Sequence, residues 1–284
     1  MKPIAPKALQ QVLHYFSFFN HALSAKEILR YIAVPASLDT VKEGLQLLAS
    51  EGLVYEKQGW FALDSESLEL RLMHEKLNKK RLKLARRVGR FIALFPFVRG
   101  VYLSGSLSKS GVQSKDDDLD FFILTASNRV WTSKFFLIAF KKIFLLNSEK
   151  YFCINLLMDE NQLSLAKRNR YTATEVVSLV SLKNVQGLEQ FLAANHWVKE
   201  YFPNVALPEK SPVESGYIRI VEHILNSLLG GTFEQWCKDR FTVHMRKHTD
   251  SEEGYFEAET HSSAYFPQSV EQRLMKHLQN FENE

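Results

Sequence analysis

Two apolar segments, Val98–Leu103 and Leu119–Thr125, flank a loop that is rich in glycine, serine and charged residues. These segments predict two β-strands. Asp118 and Asp120 stand at the start of the second segment, with one apolar residue between them. Residues two apart in a strand face the same side of a sheet, so the two carboxylates should project side by side. The chain is therefore expected to form a sheet with an acidic pair at one strand end.

The residues around this pair favour a metal ion and a phosphate. Two adjacent carboxylates repel each other unless a cation lies between them, and hard oxygen ligands suit Mg²⁺, whose other positions phosphates and waters fill. The preceding strand ends in Gly105-Ser106, where a glycine lets backbone amides approach a phosphate closely. The Ser104 and Ser106 hydroxyls can add hydrogen-bond donors. We therefore predict that Asp118 and Asp120 bind metal next to a phosphate-binding turn formed by residues 104–106.

The order of these residues resembles a known signature. A strand ending in Gly-Ser, a spacer of eleven residues and an Asp-hydrophobic-Asp pair entering a second strand are similar to the motif of the DNA-polymerase-β nucleotidyltransferase superfamily. Gly105, Ser106, Asp118 and Asp120 match that motif position by position, and the motif covers about residues 98–160. The chain also resembles uncharacterised bacterial nucleotidyltransferase-domain proteins at Trp131-Thr132-Ser133, Phe152–Leu156, Asn195-x-Trp197 and Tyr201-x-Pro203-Asn204.

The resemblance implies a reaction and its cofactors. Members of this superfamily move a nucleoside monophosphate from a nucleoside triphosphate to a hydroxyl group, with Mg²⁺ or Mn²⁺ bridging the triphosphate and the attacking oxygen. By this resemblance Asp118 and Asp120 are the catalytic carboxylates and hold the metal ions. The acceptor is not implied, because in this superfamily an appended domain selects it. A small molecule, a protein side chain and an RNA end all remain open.

The third carboxylate of the superfamily is where this chain departs from the resemblance. Most active relatives carry that acid on a later strand, and here the stretch Phe152–Met158 offers Asn155 as its only polar side chain. An amide oxygen can ligate a metal, but it has no charge and does not serve as a base. Asp159, just beyond the stretch, is an alternative third acid. We expect the Asn155 amide within direct or one-water reach of the aspartates, roughly 3–6 Å.

Two functions follow from these residues. The intact Asp118/Asp120 pair favours an enzyme, whereas Asn155 favours a non-catalytic protein that senses a nucleotide and regulates, or that binds DNA or protein through a degenerate core. Lys109, in the loop between the turn and the aspartates, either reaches a phosphate as part of the nucleotide site or remains an exposed lysine.

The first 65 residues predict a winged helix-turn-helix domain. Three helical segments are followed by a hairpin around Gly59, and two capping boxes are expected, Ser24 with Glu27 and Thr40 with Glu43. Such domains bind DNA through their third helix or dock on protein. DNA binding is possible but not favoured here, because the third helix has few cations and DNA affinity depends on phosphate neutralisation.

The complete prediction is an α/β (α+β) nucleotidyltransferase core, residues 66–163, between the winged helix, residues 1–65, and an α-helical C-terminal domain, residues 164–284. The core should open with a helix over Glu66–Phe95, whose basic residues suit a polyanion or form a solvated face. The predicted C-terminal segments are the helices Glu175–Leu182, Gly187–His196, Gly216–Leu229, Phe233–Arg246 and Val270–Phe281, and a loop over 248–254.

Composition excludes several other classes. Apolar residues make up 45% and charged residues 24% of the chain, which is ordinary for a globular protein. No apolar stretch is long enough to span a bilayer and no signal peptide is evident, so we expect a cytoplasmic protein without membrane contact. Cys153 and Cys237 stand far apart without nearby histidine ligands, which argues against a disulfide framework or a zinc site.

Overall fold

The computed structural model describes residues 4–146, 148, 150–205, 218–246, 255–266 and 268–282. Its helices are α1 (Pro6–Ser17), α2 (Ala25–Tyr31), α3 (Leu38–Ser50), α4 (Ser65–Ile92), α5 (Gly105–Ser108), α6 (Val130–Phe144), α7 (Arg170–Val177), α8 (Val185–Ala194), α9 (Val198–Tyr201), α10 (Ile218–Arg246) and α11 (Gln268–Glu282). Its strands are β1 (Leu23–Ser24), β2 (Tyr55–Lys57), β3 (Trp60–Ala62), β4 (Val98–Leu103), β5 (Asp120–Thr125), β6 (Cys153–Asp159), β7 (Val180–Lys183), β8 (Tyr255–Ala258) and β9 (Ser262–Phe266).

The N-terminal unit, residues 4–64, contains α1 to α3 and a small antiparallel sheet in the order β1-β3-β2. Its helices bury one apolar side each, including Leu9, Ile28 and Leu45, none of which is exposed to solvent. Gln58 and Gly59 turn the hairpin with positive φ angles of 55° and 80°, the backbone that two-residue hairpin loops require. The predicted three helices and hairpin are confirmed.

The two predicted capping boxes differ in outcome. Ser24 caps α2 and forms the box with Glu27, as predicted. The box between Thr40 and Glu43 is wrong, because Ser37 and not Thr40 caps α3. Ser37 accepts a hydrogen bond from the Thr40 backbone N–H at 3.2 Å, and the Thr40 hydroxyl accepts one from the Ser37 N–H at 3.0 Å. Thr40 is therefore the third residue of the helix and not its cap.

A six-stranded sheet in the order β7-β4-β5-β6-β9-β8 forms the centre of the protein. β5 and β6 run parallel, and the other neighbours are antiparallel. Side chains alternate between its faces: Leu119, Phe121 and Ile123 pack with α4 and α6, whereas Phe122 and Leu124 pack with α7, α8 and the N-terminal unit. Since Asp120 is two residues before Phe122, its carboxylate projects towards the N-terminal unit.

The segment from residue 164 onward is not the helical domain that the sequence predicts. It supplies β7, β8 and β9 to the central sheet, and the predicted helix Glu175–Leu182 is divided between α7 and β7. The reason is that these segments pair with distant strands: Ser181 of β7 pairs with Tyr102 of β4, and Ala264 of β9 pairs with Leu156 of β6. Local periodicity does not reveal such long-range pairing. The other helices are confirmed, with α10 broken at Gly230. The predicted loop 248–254 lies outside the described residues.

The helix α4 joins the N-terminal unit to the sheet. Asp64 caps it by accepting the Ser67 backbone N–H at 2.7 Å, and its buried side includes Ala85 and Ile92. Gly89 allows close contact with β7, because a Cβ at this position would lie 2.7 Å from the Leu182 side chain. Over the ranges given above, no helix combines the length and apolar character that a membrane span requires.

Candidate active site

A cavity of about 640 Å³ opens on the face of the central sheet that is turned towards the N-terminal unit. It lies where β4 ends and where β5 and β6 begin, with α7 opposite. Seven of the site residues that the sequence singled out line this cavity: Ser104, Gly105, Ser106, Lys109, Asp118, Asp120 and Asn155. The structure thus brings together groups that lie on two strands, a turn and a loop.

Gly105 and Asp120 form the base of the site. The Ser104 backbone N–H donates to the Asp120 carbonyl at 2.9 Å, which fixes the turn to the start of β5. Gly105 has a φ of +64°, and a Cβ at this position would lie 2.0 Å from Asp120 Oδ2. Both the backbone angle and the contact therefore require glycine at this position. The carboxylate of Asp120 packs directly against the turn as a consequence.

The carboxylate of Asp120 is held in an unfavourable environment for its charge. Burial raises its pKa to about 6, and the negative charges of Asp118 and Glu175 act in the same direction. A hydrogen bond from the Cys153 side chain and the charge of Lys109 lower the pKa but do not restore its usual value. A bound cation would remove this repulsion, because it favours the ionised form of both aspartates.

Glu175 is a third acid of the cavity that the sequence did not reveal. It lies on α7, and both of its carboxylate oxygens bind the Lys109 ammonium, at 3.0 Å and 2.9 Å. Only 13% of the Lys109 side chain is accessible to solvent. The alternative that Lys109 is simply an exposed lysine is therefore wrong. The two residues are 66 positions apart in the chain, so no local pattern connects them.

Asn155 and Asp159 differ in their relation to the cavity. The pairing of β5 with β6 shifts between Phe121 and Phe122, which leaves Asn155 as an extra residue of β6 at the cavity wall. Asp159 is at the opposite end of β6 and is fully buried. It accepts the backbone N–H groups of Asn128 and Asn161 at 2.8 Å and 2.9 Å, and it contacts His261. The suggestion that Asp159 is the third acid is therefore wrong.

The oxygen donors of the cavity fit Mg²⁺ or Mn²⁺ with a nucleotide better than they fit a metal held by protein alone. Within the described ranges, no group of three His, Cys, Asp or Glu side chains is arranged to hold a metal ion. Mg²⁺ commonly binds one or two carboxylates and completes its coordination with phosphates and water. The Ser104 hydroxyl is buried beside the pair and has no hydrogen-bond partner within the described part of the chain, which leaves it able to donate to a ligand.

The loop between the turn and the aspartates is fixed by α4. Asn78 exchanges two hydrogen bonds with the Val112 backbone, at 2.9 Å and 3.1 Å. Arg81 donates to the carbonyls of Lys115 and Lys150, both at 3.2 Å, and to that of Asp117. Arg81 belongs to the basic run of this helix, but it is buried, and its backbone partners give it a structural role instead of a place on a polyanion site or a solvated face. The loop that leads to Asp118 thus has a rigid support.

The N-terminal unit closes one side of the cavity through His21. Arg71 of α4 donates to His21 Nε2 at 2.8 Å and to the Ser110 carbonyl at 2.8 Å, and it pairs with Glu27 at 3.0 Å. Burial, and then the charge of Arg71, lower the pKa of His21 to about 3, so the imidazole is neutral and accepts the hydrogen bond. No local sequence pattern predicts the contact between Arg71 and His21, because the two residues lie 50 positions apart.

Several residues that carry the resemblance to bacterial nucleotidyltransferase-domain proteins have structural partners. Glu234 accepts the backbone N–H groups of Trp131 and Thr132, both at 2.8 Å. The Asn195 amide accepts the Trp197 indole N–H at 3.1 Å, and both side chains are buried. Asn204 accepts the Ala36 N–H at 2.9 Å and so ties the C-terminal part to the N-terminal unit.

Comparison with models of protein families, with curated proteins and with solved structures found no match. The choice of a reaction class for this chain therefore depends on the cavity itself: an aspartate pair at a strand end, a glycine-containing turn against it, and a lysine paired with a third acid.

Proposed function

We propose that this protein is a metal-dependent nucleotidyltransferase that moves a nucleoside monophosphate from a nucleoside triphosphate to a hydroxyl acceptor. The observation that carries the proposal is the contact of Gly105, in the Gly105-Ser106 turn, with Asp120, in the cavity that Asp118 also lines. A turn that approaches phosphate and two carboxylates that need a cation are the groups that this reaction requires.

Each group then has a role. Asp118 and Asp120 would hold Mg²⁺ or Mn²⁺, which supplies positive charge for the displacement at the α-phosphate. The Ser104 hydroxyl, buried without a partner in the described part of the chain, would donate to a phosphate oxygen. The cavity is also lined by the apolar side chains of Phe122 and Phe191, which suit the face of a nucleobase.

Lys109 and Glu175 are suited to a role that depends on the substrate. Lys109 is paired with Glu175, and a triphosphate would compete for the same ammonium group. Glu175 would then lose its partner and could accept the proton of the attacking hydroxyl. In this mechanism Glu175, from α7, does the work of the acid that Asn155 replaces, and Asn155 contributes at most an uncharged oxygen.

A second candidate is nucleotide sensing without turnover, coupled to the N-terminal unit as a winged-helix module. One contact favours it: Arg71 binds His21 of the N-terminal unit and the carbonyls of Lys109 and Ser110 in the loop of the site, at 3.3 Å and 2.8 Å. A nucleotide that moves Lys109 would therefore affect the position of the N-terminal unit. In that case the protein binds a triphosphate and releases no pyrophosphate.

Pyrophosphate release distinguishes the two candidates. ATP, GTP, CTP and UTP are each incubated with the full chain, Mg²⁺ or Mn²⁺ and pools of hydroxyl acceptors, and pyrophosphate is measured. The enzyme hypothesis predicts that Glu175→Gln slows release by about 10²- to 10⁴-fold and retains nucleotide binding, because only proton transfer is lost.

Glu69→Gln is the matched control, since Glu69 forms an exposed ion pair with Lys57 and does not line the cavity. Its rate should equal that of the unmodified protein. Equal rates for Glu175→Gln and Glu69→Gln would exclude Glu175 as the base, and binding without any pyrophosphate release would favour the sensor.

A further inference from the structure

A row of exposed cations follows one side of α4. We call this row the α4 basic stripe; its residues are Lys79, Lys80, Lys83, Arg86, Arg87 and Arg90. Lys79 pairs with Glu75, but no acidic residue occurs from Lys76 to Arg90, so the stripe keeps one sign of charge from Lys80 to Arg90. Exposed charges on a helix usually alternate in sign or pair with each other, and an unbroken row indicates an anionic partner.

The spacing of the stripe suits an extended chain of phosphates. Lys79, Lys83, Arg86 and Arg90 follow each other at intervals of three or four residues, which places them on one helix side. At 1.5 Å per residue, they extend over about 17 Å. A row of this length can contact several consecutive phosphates of a nucleic-acid strand, whereas a single triphosphate would occupy only part of it.

The loop of the candidate active site packs against the same turns of α4 that carry the stripe. Arg81 is on the buried side of the same helix turns and binds the carbonyls of Lys115 and Asp117, directly before Asp118. Lys115 is itself exposed, and Lys150 lies beside the same arginine. The exposed cations and the loop before Asp118 therefore belong to the same turns of α4, on its exposed and buried sides respectively.

Aromatic side chains are exposed next to the other end of the stripe. Phe91, the residue after Arg90, is 41% exposed, and Phe144 of α6 is 67% exposed. Phe140 lies between them, with its ring 4.9 Å from that of Phe91 and 4.8 Å from that of Phe144. Basic residues that bind the backbone and aromatic rings on which bases stack are the combination that binds single strands. A duplex would use the cations alone, because its bases are stacked on each other.

We propose that the α4 basic stripe binds a single-stranded polynucleotide, with its phosphates along the stripe and unpaired bases against Phe91 and Phe144. The proposal concerns binding, and it holds whether or not the cavity transfers nucleotides. RNA and DNA share the required phosphodiester chain and unpaired bases, so the experiment includes both.

The test is fluorescence anisotropy of the full chain with a labelled single strand of about 20 nucleotides, as RNA and as DNA, between 0.05 and 0.2 M salt. Four phosphate contacts predict a logarithmic salt slope of about −3 for a single strand, which corresponds to an affinity loss of about 50-fold over this range. The matching duplex should bind more weakly than either single strand. Asp118→Asn with Asp120→Asn should not weaken strand binding, which separates this proposal from the proposed reaction.

The main variant reverses four charges of the stripe: Lys83→Glu, Arg86→Glu, Arg87→Glu and Arg90→Glu. It should weaken strand binding at least tenfold at 0.05 M salt and flatten the salt slope, and the glutamine versions should do so to a smaller extent if the reversed variant folds poorly. The matched control makes the same change in net charge on the N-terminal unit, at Lys7, Lys26, Arg30 and Lys42, which are also exposed. This control should retain the affinity and the slope.

The aromatic part of the proposal has its own variant. Phe91→Ala with Phe144→Ala should weaken single-strand binding about tenfold without changing the salt slope, because stacking involves no counterion release. Three results would overturn the proposal: an unchanged affinity in the charge-reversed stripe, an equal loss in the N-terminal control, or binding to vesicles of anionic lipid by a protein that binds neither single strand.

Discussion

Gly105 and Asp120 meet at the base of the cavity, where one residue sets the backbone and the other supplies the charge. The contact is so close that any side chain on Gly105 displaces the carboxylate. A substitution of this glycine would therefore have two effects: it would strain a backbone with a positive φ angle, and the new side chain would collide with the Asp120 carboxylate. The chain offers a control for the first effect, because Gly52 has a φ of +72° and no atom within 4 Å of an added Cβ.

Gly105→Ala should abolish metal-dependent nucleotide binding, whereas Gly52→Ala should leave it unchanged. Both variants bear the cost of a left-handed backbone without glycine, about 1–2 kcal/mol of the free energy of unfolding. Only Gly105→Ala also moves Asp120. Calorimetric titration and thermal unfolding of both variants measure the two effects separately, and normal binding by Gly105→Ala would show that Asp120 is not a ligand.

Asp120 should destabilise the protein when no metal is bound. Its pKa is raised by burial to about 6, from a usual value of 3.8, so the folded state holds a proton that the unfolded state releases. The stabilising contribution is complete below pH 3.8 and is lost as the pH rises through about 6. Above that pH and in EDTA, the free energy of unfolding of Asp120→Asn should be about 2 kcal/mol higher than that of the unmodified protein.

Mg²⁺ should reverse this order, because it binds an ionised aspartate more tightly than an uncharged amide. The unmodified protein should gain stability from Mg²⁺ and nucleotide at pH 7.5, and Asp120→Asn should not. Chemical unfolding between pH 4 and pH 8, with and without metal, measures both effects. A variant that is less stable than the unmodified protein in EDTA at pH 7.5 would contradict the assigned environment of Asp120.

Helix α4 has two sides with different tasks. Its buried residues Asn78 and Arg81 hold the loop that leads to Asp118, and its exposed cations form the α4 basic stripe. The sequence predicted the helix and its charge, and it left the basic residues either as a polyanion site or as a solvated face. Arg81 is buried whereas its basic neighbours are exposed, because the loop before Asp118 packs over Arg81.

Arg81→Met should lower the free energy of unfolding by about 3–5 kcal/mol, because the carbonyls of Lys115, Asp117 and Lys150 lose a buried cationic donor. Arg86→Met, on the exposed side of the same helix, should change it by less than about 0.5 kcal/mol. Nucleotide affinity should follow stability only in the first variant, since the loop before Asp118 loosens. Equal effects of the two substitutions on unfolding would refute the structural role of Arg81.

The strands and helices illustrate what local sequence can predict. Val98–Leu103 and the strand after Asp118 were predictable, because apolar segments beside polar turns form strands and the Asp-x-Asp spacing identifies one face. β7 and β9 were not, since Val180–Lys183 and Ser262–Phe266 become strands by pairing with distant edges of β4 and β6. Glu175 was missed for the same reason: its partner Lys109 is close only in the folded chain.

At the scale of the whole molecule, the N-terminal unit is part of the site and is not simply attached to it. Tyr31 contacts Ser178 at 2.9 Å, next to α7, and Arg71 binds both His21 and the loop at Ser110. One apolar core continues from this unit through Phe122 and the neighbouring helices. These contacts favour packing within the chain as the role of the N-terminal unit. Its third helix has few cations with which to bind DNA.

The most direct test of the account is metal-dependent binding of a nucleoside triphosphate, measured by calorimetry on the full chain. The affinity should be higher with Mg²⁺ or Mn²⁺ than with EDTA for the unmodified protein. Asp118→Asn combined with Asp120→Asn should abolish this difference while the protein stays folded. If the double variant keeps the same metal-dependent affinity, the cavity at the Gly105-Ser106 turn is not the nucleotide site.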